Sequence, residues 1–255
     1  MKKSFHFDEE WLRKKVTCNE LYFAHTSGVR PLEAEAIFAG IRKLIEEVRS
    51  NITIINRGYQ HINTHDGKYQ NPNWYQEQAA INRDMGFGQQ VDGSKVLTLL
   101  SEEIWQHPPY QPHMDVMACD KDITGYNKAA GEYADFAYGI MRYPYSLNSV
   151  MSVKRFRDTI RDPKLLQAAL AVTAAHELGH NFSLVNRNFN QTDKLGSHCN
   201  GKSGPCLMEQ LDTGGSRNMK ENARLFINRQ RWLCKDCLEE AAEKREMFIN
   251  SDLLW

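Results

Sequence analysis

Five residues, HELGH at 176–180, place two histidines and a glutamate at a spacing that suits metal-assisted hydrolysis. On a helix, His176 and His180 lie one turn apart, so both imidazoles project from one face and can reach the same zinc ion. Glu177 follows the first histidine directly and is a candidate general base. Two exposed helix histidines with a solvated glutamate would give the same five letters. The alanine, valine and leucine residues around the motif favour a buried cleft instead.

A catalytic zinc ion usually has three protein ligands and keeps a fourth position for water, so a third donor is needed. Asn186, six residues after His180, is a poor ligand. The next histidine is His198, which directly precedes Cys199. Asp193 lies in the intervening stretch and offers an oxygen atom. The residues alone therefore leave His198 and Asp193 as alternative third ligands.

Four of the six cysteines lie after residue 198, with the spacings C-x6-C and then C-x2-C. These spacings are typical of a structural zinc site with four thiolate ligands. A redox pair or chance would explain C-x-x-C alone, but not four such cysteines in a chain that we expect to be cytoplasmic. The predicted ligands of this second zinc ion are Cys199, Cys206, Cys234 and Cys237.

The stretch GSHCNGKS at 196–203 also fits the phosphate-loop pattern G-x-x-x-x-G-K-[ST]. A phosphate loop must leave a buried strand and enter a helix at its Gly-Lys. Here the polar stretch NRNFNQTDKL precedes the pattern and Gly204-Pro205 follows it, and proline disfavours a helix at that point. The context favours a zinc loop over a nucleotide-binding loop.

A long helix has to carry the HELGH motif. Asp162 and Pro163 are typical of a helix start, with aspartate as N-cap and proline in the first turn. The apolar segment that follows predicts a helix to about residue 182. Asp193 and His198 fall beyond its end, in a region that we predict to be poor in strands.

The other predicted elements surround this helix. Apolar residues at steps of three and four predict a helix over 32–48, and Ser94 is expected to cap another that ends before Pro108. Residues 57–90 are polar and lack periodicity, which predicts a long loop or a partly ordered insertion. The predicted strands cover 51–55, 114–119, 136–142 and 149–156, and a last helix covers 238–248.

This order of elements predicts an α+β fold in which helices flank a mixed twisted sheet, with a small strand-poor C-terminal zinc subdomain. We expect residues 1–30 to be an N-terminal extension and residues 31–255 to form one domain. That domain would have an N-terminal lobe (31–183), a C-terminal lobe (184–255) and a cleft between them.

Composition excludes several classes of protein. The 255 residues, 41% hydrophobic and 25% charged, suit one large globular domain. Lys plus Arg equals Asp plus Glu at 32 each, so no basic surface for nucleic acid or an anionic membrane is expected. The sequence shows neither a signal peptide nor an apolar run of about 18 residues. These features predict a cytoplasmic protein and leave its oligomeric state open.

Residues 163–237 resemble the archaemetzincin family, whose members are metzincin-type zinc peptidases with a second, structural zinc ion. The resemblance rests on the HExxH helix, the joined His-Cys pair, a cysteine two residues before a methionine, and a terminal C-x-x-C. MACDKDI at 117–123 and FAYGI at 136–140 resemble, more weakly, the family's central strand and its cleft-edge strand.

The resemblance implies a metzincin-like fold, two zinc ions and hydrolysis of peptide bonds in a peptide or protein substrate by zinc-activated water. Glu177 would be the general base, and an extended substrate would pair with the strand near 136–140. Tyr138 and Tyr143 are candidate oxyanion donors. The implied ligands are His176, His180 and His198 for the catalytic zinc and the four cysteines for the structural zinc, with Met208 in the turn beneath the catalytic site.

The sequence departs from the family pattern at two positions. Ser183 stands where the family has glycine, and Asn186 stands where the family has its third histidine, so His198 comes twelve residues late. These departures motivate an alternative function, a non-catalytic zinc-stabilised binding module on the same fold. Glu177 counts against that alternative, because a structural zinc site needs no base beside its ligands.

Overall fold

The computed structural model describes residues 18–59, 71–103, 106, 113–127, 131–141, 147–182, 184, 198–199, 201, 203–209 and 216–251. The strands are β1 (Glu20–His25), β2 (Thr53–Gly58), β3 (Ala80–Asp84), β4 (Gln89–Asp92), β5 (Met114–Cys119), β6 (Asp122–Thr124), β7 (Tyr126–Asn127), β8 (Glu132–Tyr133), β9 (Gly139–Met141) and β10 (Asn148–Ser152). The helices are α1 (Pro31–Glu47), α2 (Pro72–Gln78), α3 (Gly93–Ser101), α4 (Lys154–Thr159), α5 (Pro163–Asn181), α6 (Ser216–Phe226) and α7 (Lys235–Ser251).

A five-stranded mixed sheet forms the centre of the fold, in the order β2-β1-β5-β10-β9. The first four strands are parallel, and β9 pairs with β10 in the antiparallel direction. Strand β5 is buried at all six positions, as expected for a central parallel strand that is covered on both faces. A three-stranded sheet, β3-β4-β6, and the two-stranded β7-β8 accompany it.

Helices cover both faces of the sheet, which confirms the predicted α+β architecture with flanking helices. On one face, α1 and α5 pack together through residues such as Ile37, Ile41 and Leu170. Gly40 lets these two helices approach closely, because a Cβ there would overlap with the backbone of α5. On the other face, α2 and α3 pack against β5 and β10 in a second apolar cluster.

Helix α5 begins and ends close to the predicted residues. The Asp162 side chain accepts hydrogen bonds from the backbone N–H groups of Lys164 (2.9 Å) and Leu165 (3.3 Å), and Pro163 occupies the first turn. Every residue from 172 to 181 is buried. A helix buried on all sides crosses the interior of a domain, so the HELGH motif lies in the core at the end of α5.

Between residues 57 and 101 the structure differs from two expectations: 57–90 is not a continuous loop, and the cap of α3 is not Ser94. The described part of the expected loop at 57–90 contains α2, β3 and the start of β4, and residues 60–70 lie outside the described residues. Tyr75 of α2 and Val91 of β4 are buried in the second apolar cluster, so tertiary packing stabilises these short elements although their sequence shows no periodicity. Helix α3 is capped by Asp92, whose Oδ1 accepts from the backbone N–H of Ser94 at 2.9 Å, and not by Ser94.

The prediction that residues 1–30 form an N-terminal extension is wrong for residues 20–25. They form β1, which lies between β2 and β5 in the central sheet. Its residues alternate between half-buried and buried, and Leu21 and Phe23 are fully buried, which is the period of a strand. The fold does not test the division of residues 31–255 into lobes at 183/184, so that division stays a prediction.

Smaller boundary errors have local causes. The strand expected over 149–156 ends at Ser152, whose hydroxyl accepts from the backbone N–H of Lys154 at 3.0 Å, and α4 follows. Helix α6 was not predicted, and α7 begins at Lys235 instead of residue 238. None of the helices in the described part of the chain combines the length and the apolar character that a bilayer-spanning helix needs.

Candidate active site and metal centres

Three histidines from two separate segments meet at the C-terminal end of α5. The ring centroids of His176, His180 and His198 lie 4.7 to 5.4 Å apart. One ligand nitrogen from each ring lies within 4.8 Å of the others, and the Nε2 atoms of His176 and His180 are 3.1 Å apart. Tetrahedral zinc with Zn–N bonds of about 2.0–2.1 Å separates two ligand nitrogens by about 3.3 Å. The spacing of the first two nitrogens fits a zinc ion.

A backbone carbonyl orients His176 within this cluster. Its Nδ1 lies 2.7 Å from the carbonyl oxygen of Leu207. Because a carbonyl only accepts hydrogen bonds, Nδ1 carries the proton and Nε2 keeps its lone pair toward the other two histidines. Sequence reasoning did not identify Leu207, since a backbone carbonyl leaves no trace in residue type.

Burial keeps the two helix histidines neutral, which is the form that binds a metal ion. It lowers the pKa of His176 to about 4, against the opposing effect of the hydrogen bond to Leu207. Burial also lowers the pKa of His180 well below its usual value, and the neighbouring imidazoles of His176 and His198 add to that effect.

Glu177 lies beside the histidines under strand β9. Its side chain is buried, and this burial raises its pKa to about 8. A Cβ at Gly139 would overlap with the Glu177 carboxyl group, so only glycine lets β9 pass this close. A carboxyl group of such a pKa can exchange protons near neutral pH, and a cation bound at the histidines would lower that value again.

The four C-terminal cysteines form a second cluster. Their Sγ atoms all lie within 4.8 Å of one another, and all four residues are buried. The Sγ atoms of Cys199 and Cys234 are 3.8 Å apart, and those of Cys206 and Cys237 are 3.6 Å apart. Tetrahedral zinc with Zn–S bonds of about 2.3 Å separates its sulfur ligands by about 3.8 Å. The cluster fits a structural zinc ion.

A cation would also neutralise the negative charges that four adjacent thiolates carry. Hydrogen bonds from the other thiols of the cluster lower the pKa of Cys234 and raise the pKa of Cys237, where burial adds to the rise. Four thiolates at these distances would also repel one another. Zinc removes this conflict, since it binds the deprotonated form of every ligand.

A short segment connects the two clusters. The backbone N–H of Cys199 donates to the carbonyl oxygen of Met208 at 2.8 Å, which places His198 next to the histidines of α5. A Cβ at Gly179, inside the HELGH motif, would overlap with the Met208 sulfur atom. Met208 therefore packs directly against the helix that carries both histidines.

The seven histidines and cysteines implied as zinc ligands lie in these two clusters, and His198 joins the histidine cluster. Asp193, Ser183, Asn186 and Tyr143 lie outside the described residues. Tyr138 packs on Phe156 with ring centroids 4.8 Å apart, in the core. Residues 204–209, directly after the GSHCNGKS stretch, contain turns and no helix, in agreement with the zinc-loop interpretation.

The fold is similar to that of a known protein. No protein-family model matches the chain, and no curated protein matches its sequence. The crystal structure of archaemetzincin from Methanopyrus kandleri matches with a TM-score of 0.57 at 16% sequence identity, covering 90% of this chain and 97% of that chain. The resemblance drawn from the sequence is thus confirmed for the fold, which is similar to that of archaemetzincin.

Proposed function

We propose that this protein is a zinc-dependent peptidase that hydrolyses peptide bonds with Glu177 as general base. The observation that carries the proposal is the convergence of three histidine nitrogens beside a buried glutamate that follows the first of them on the same helix. A purely structural metal site would not need that carboxyl group. The archaemetzincin-like fold supports the same function.

In the proposed enzyme His176, His180 and His198 hold the catalytic zinc, and the four cysteines hold a structural zinc. When bound at the histidines, zinc supplies a Lewis acid that lowers the pKa of water and polarises a scissile carbonyl group. The cysteine cluster contributes folding free energy in place of chemistry. A cytoplasmic location, where thiols stay reduced, fits the four unbridged cysteines.

The residues of the chain move the protons. Glu177 accepts the proton of the attacking water and then delivers it to the leaving amine. Its buried position beneath β9 keeps bulk water from solvating the carboxyl group, which maintains its affinity for a proton. His176 stays neutral because burial lowers its pKa, and the Leu207 carbonyl group keeps the remaining ring proton on Nδ1.

Strand β9 is the expected binding edge for a peptide substrate. It pairs with β10 on one side and ends the order of the central sheet. An extended peptide can add to such an edge through backbone hydrogen bonds, with its scissile bond brought toward Glu177 beneath Gly139. This geometry favours a peptide or protein substrate over a small molecule.

Substitution of the base tests the proposal. We expect Glu177→Gln to retain two zinc ions per chain and to lose at least about a hundredfold in peptide cleavage, the range seen for positioned general bases. Glu35→Gln, at an exposed glutamate of α1, is the matched control and should keep wild-type activity. Zinc content and cleavage of a broad peptide library are measured on all three proteins. Wild-type protein that binds two zinc ions and cleaves no peptide would establish the non-catalytic binding module instead.

A further inference from the structure

We propose that Glu47, the last residue of α1, is a positioning residue for His176. It acts through the peptide unit between Trp232 and Leu233 and then through Leu207. The consequence for metal binding rests on the proposed zinc function, whereas the orientation of the His176 ring does not. Glu47 lies outside every motif that the sequence offered, and no substrate contact is attributed to it.

Glu47 binds two consecutive backbone N–H groups just before the first cysteine of the C-x-x-C pair. Its Oε1 accepts from Trp232 at 2.8 Å and from Leu233 at 2.7 Å, and its Oε2 lies 3.0 Å from the Trp232 nitrogen. The side chain is only 6% exposed. Hydrogen bonds to a carboxylate in such a place are stronger than those between neutral groups, so this contact is well defined.

The same peptide unit continues toward the active site. The N–H of Leu233 and the C=O of Trp232 belong to one planar, rigid amide. That carbonyl oxygen accepts from the backbone N–H of Leu207 at 2.7 Å, and the carbonyl oxygen of Leu207 accepts from His176 Nδ1 at 2.7 Å. The first two hydrogen bonds share one amide and polarise each other, whereas the third depends on where the Leu207 backbone lies. Glu47 is therefore connected to His176 by three successive short contacts.

This connection decides which ring nitrogen of His176 is available to a metal ion. With Nδ1 held as a donor to Leu207, His176 presents Nε2 to His180. Loss of the Glu47 side chain would free the 232–233 amide and let Leu207 shift, so both tautomers of His176 would become populated. Substitution of a group that orients a ligating histidine typically costs 10–100-fold in metal affinity.

A second residue of α1 allows the positioning of His176 to be distinguished from a general attachment of residues 230–233 to α1. Lys43, one turn earlier on α1, donates to the carbonyl oxygen of Gln230 at 2.6 Å. It contacts the same segment, and its Nζ also lies 3.9 Å from Glu47 Oε2 in a partly exposed ion pair, which contributes little to stability. Lys43 contacts neither the 232–233 amide nor Leu207. Lys43→Met is thus the control for loosening of the segment. Glu46→Gln, at an exposed position beside Glu47, is the control for loss of one negative charge on α1.

The test compares these variants by two measurements. The tautomer of His176 is read from the ring ¹⁵N chemical shifts of the metal-free proteins, and zinc affinity at the histidines from competition with a chelator. We expect wild type, Lys43→Met and Glu46→Gln to show the Nδ1-protonated ring and equal affinities. Glu47→Ala removes the acceptor of both N–H groups, so it should show a mixture of tautomers and a 10–100-fold weaker histidine site.

Two outcomes would overturn the assignment. One is a Glu47→Ala protein whose ring shifts and zinc affinity equal those of Glu46→Gln; the other is a Lys43→Met protein with the same losses as Glu47→Ala. If Glu47→Ala does not fold, Glu47→Asp replaces it, because it keeps the charge but withdraws it by one methylene group, and an unchanged ring then counts against the role. Absence of zinc at the wild-type histidines would refute the proposed function, while the metal-free ring shifts would still decide the role of Glu47.

Discussion

At the scale of single residues, the site depends on two glycines whose neighbours lie too close for any side chain with a Cβ atom. Glu177 is covered by the backbone of β9 only because residue 139 is glycine, and His180 is carried by a helix that accepts Met208 only because residue 179 is glycine. Both glycines place a functional group by leaving space for it. Their effect on activity can therefore be tested separately from the ligands themselves.

Gly139→Ala should lower peptide cleavage at least about tenfold while zinc content stays at two per chain. The added methyl group would push the Glu177 carboxyl group from its position, and small displacements of a catalytic group have large effects on rate. Steady-state kinetics and metal analysis measure the two effects. Gly125→Ala is the control, since the nearest atom to its Cβ would be 3.3 Å away, at the end of the Ile140 side chain. Equal activity of both variants would show that β9 does not constrain Glu177.

At the scale of elements, α5 determines where the two helix histidines lie. It is held at its start by Asp162, at its middle by the close packing with α1 at Gly40, and at its end by Met208. The helix is buried along its second half, so its position relative to the sheet follows from packing. Its N-cap is the part whose contribution to stability is easiest to isolate.

Asp162→Ala should reduce the free energy of unfolding by about 1 kcal/mol, because two backbone N–H groups lose their acceptor. In a protein of this size that corresponds to a thermal midpoint lower by roughly 2–4 °C. Calorimetry measures the change. Asp158→Ala, which breaks the surface pair with Lys154, should cost about 0.3–0.5 kcal/mol. An Asp162 variant as stable as the Asp158 variant would contradict this view of the cap.

At the scale of the whole molecule, the C-terminal segments contact the rest of the chain through the histidine cluster and α1, and the cysteine cluster joins these segments to one another. His198 and Cys199 are adjacent in sequence but belong to different clusters. Glu47 and Lys43 join α1 to residues 230–233, just before Cys234. The cysteine cluster is thus expected to contribute to the stability of the whole protein.

Cys237→Ser should lower the zinc content from two ions to about one per chain and reduce the thermal midpoint. The binding free energy of a structural zinc ion is also folding free energy, so loss of one thiolate ligand removes part of both. Metal analysis and thermal unfolding measure the two quantities. Cys18→Ser, at a half-buried cysteine outside the cluster, should keep both zinc ions. Two zinc ions and an unchanged midpoint in Cys237→Ser would exclude a four-cysteine zinc site.

The sequence by itself determined the features that depend on neighbouring residues. The Asp162-Pro163 start of α5, the one-turn spacing of His176 and His180, and the apolar run of β5 follow from local geometry and could be read directly. The spacing of the four cysteines likewise indicated one cluster, because residue type and spacing alone are specific for thiolate zinc sites.

Only the tertiary structure decided which distant groups meet. The approach of His198 to α5, the cover of Gly139 over Glu177 and the connection from Glu47 to His176 join residues separated by 18 to 129 positions in the sequence. β1 was missed because its pairing with β2 and β5, rather than its own residue types, places it in the sheet. Such contacts arise from packing and from backbone carbonyl groups, which every residue carries and which no sequence pattern marks.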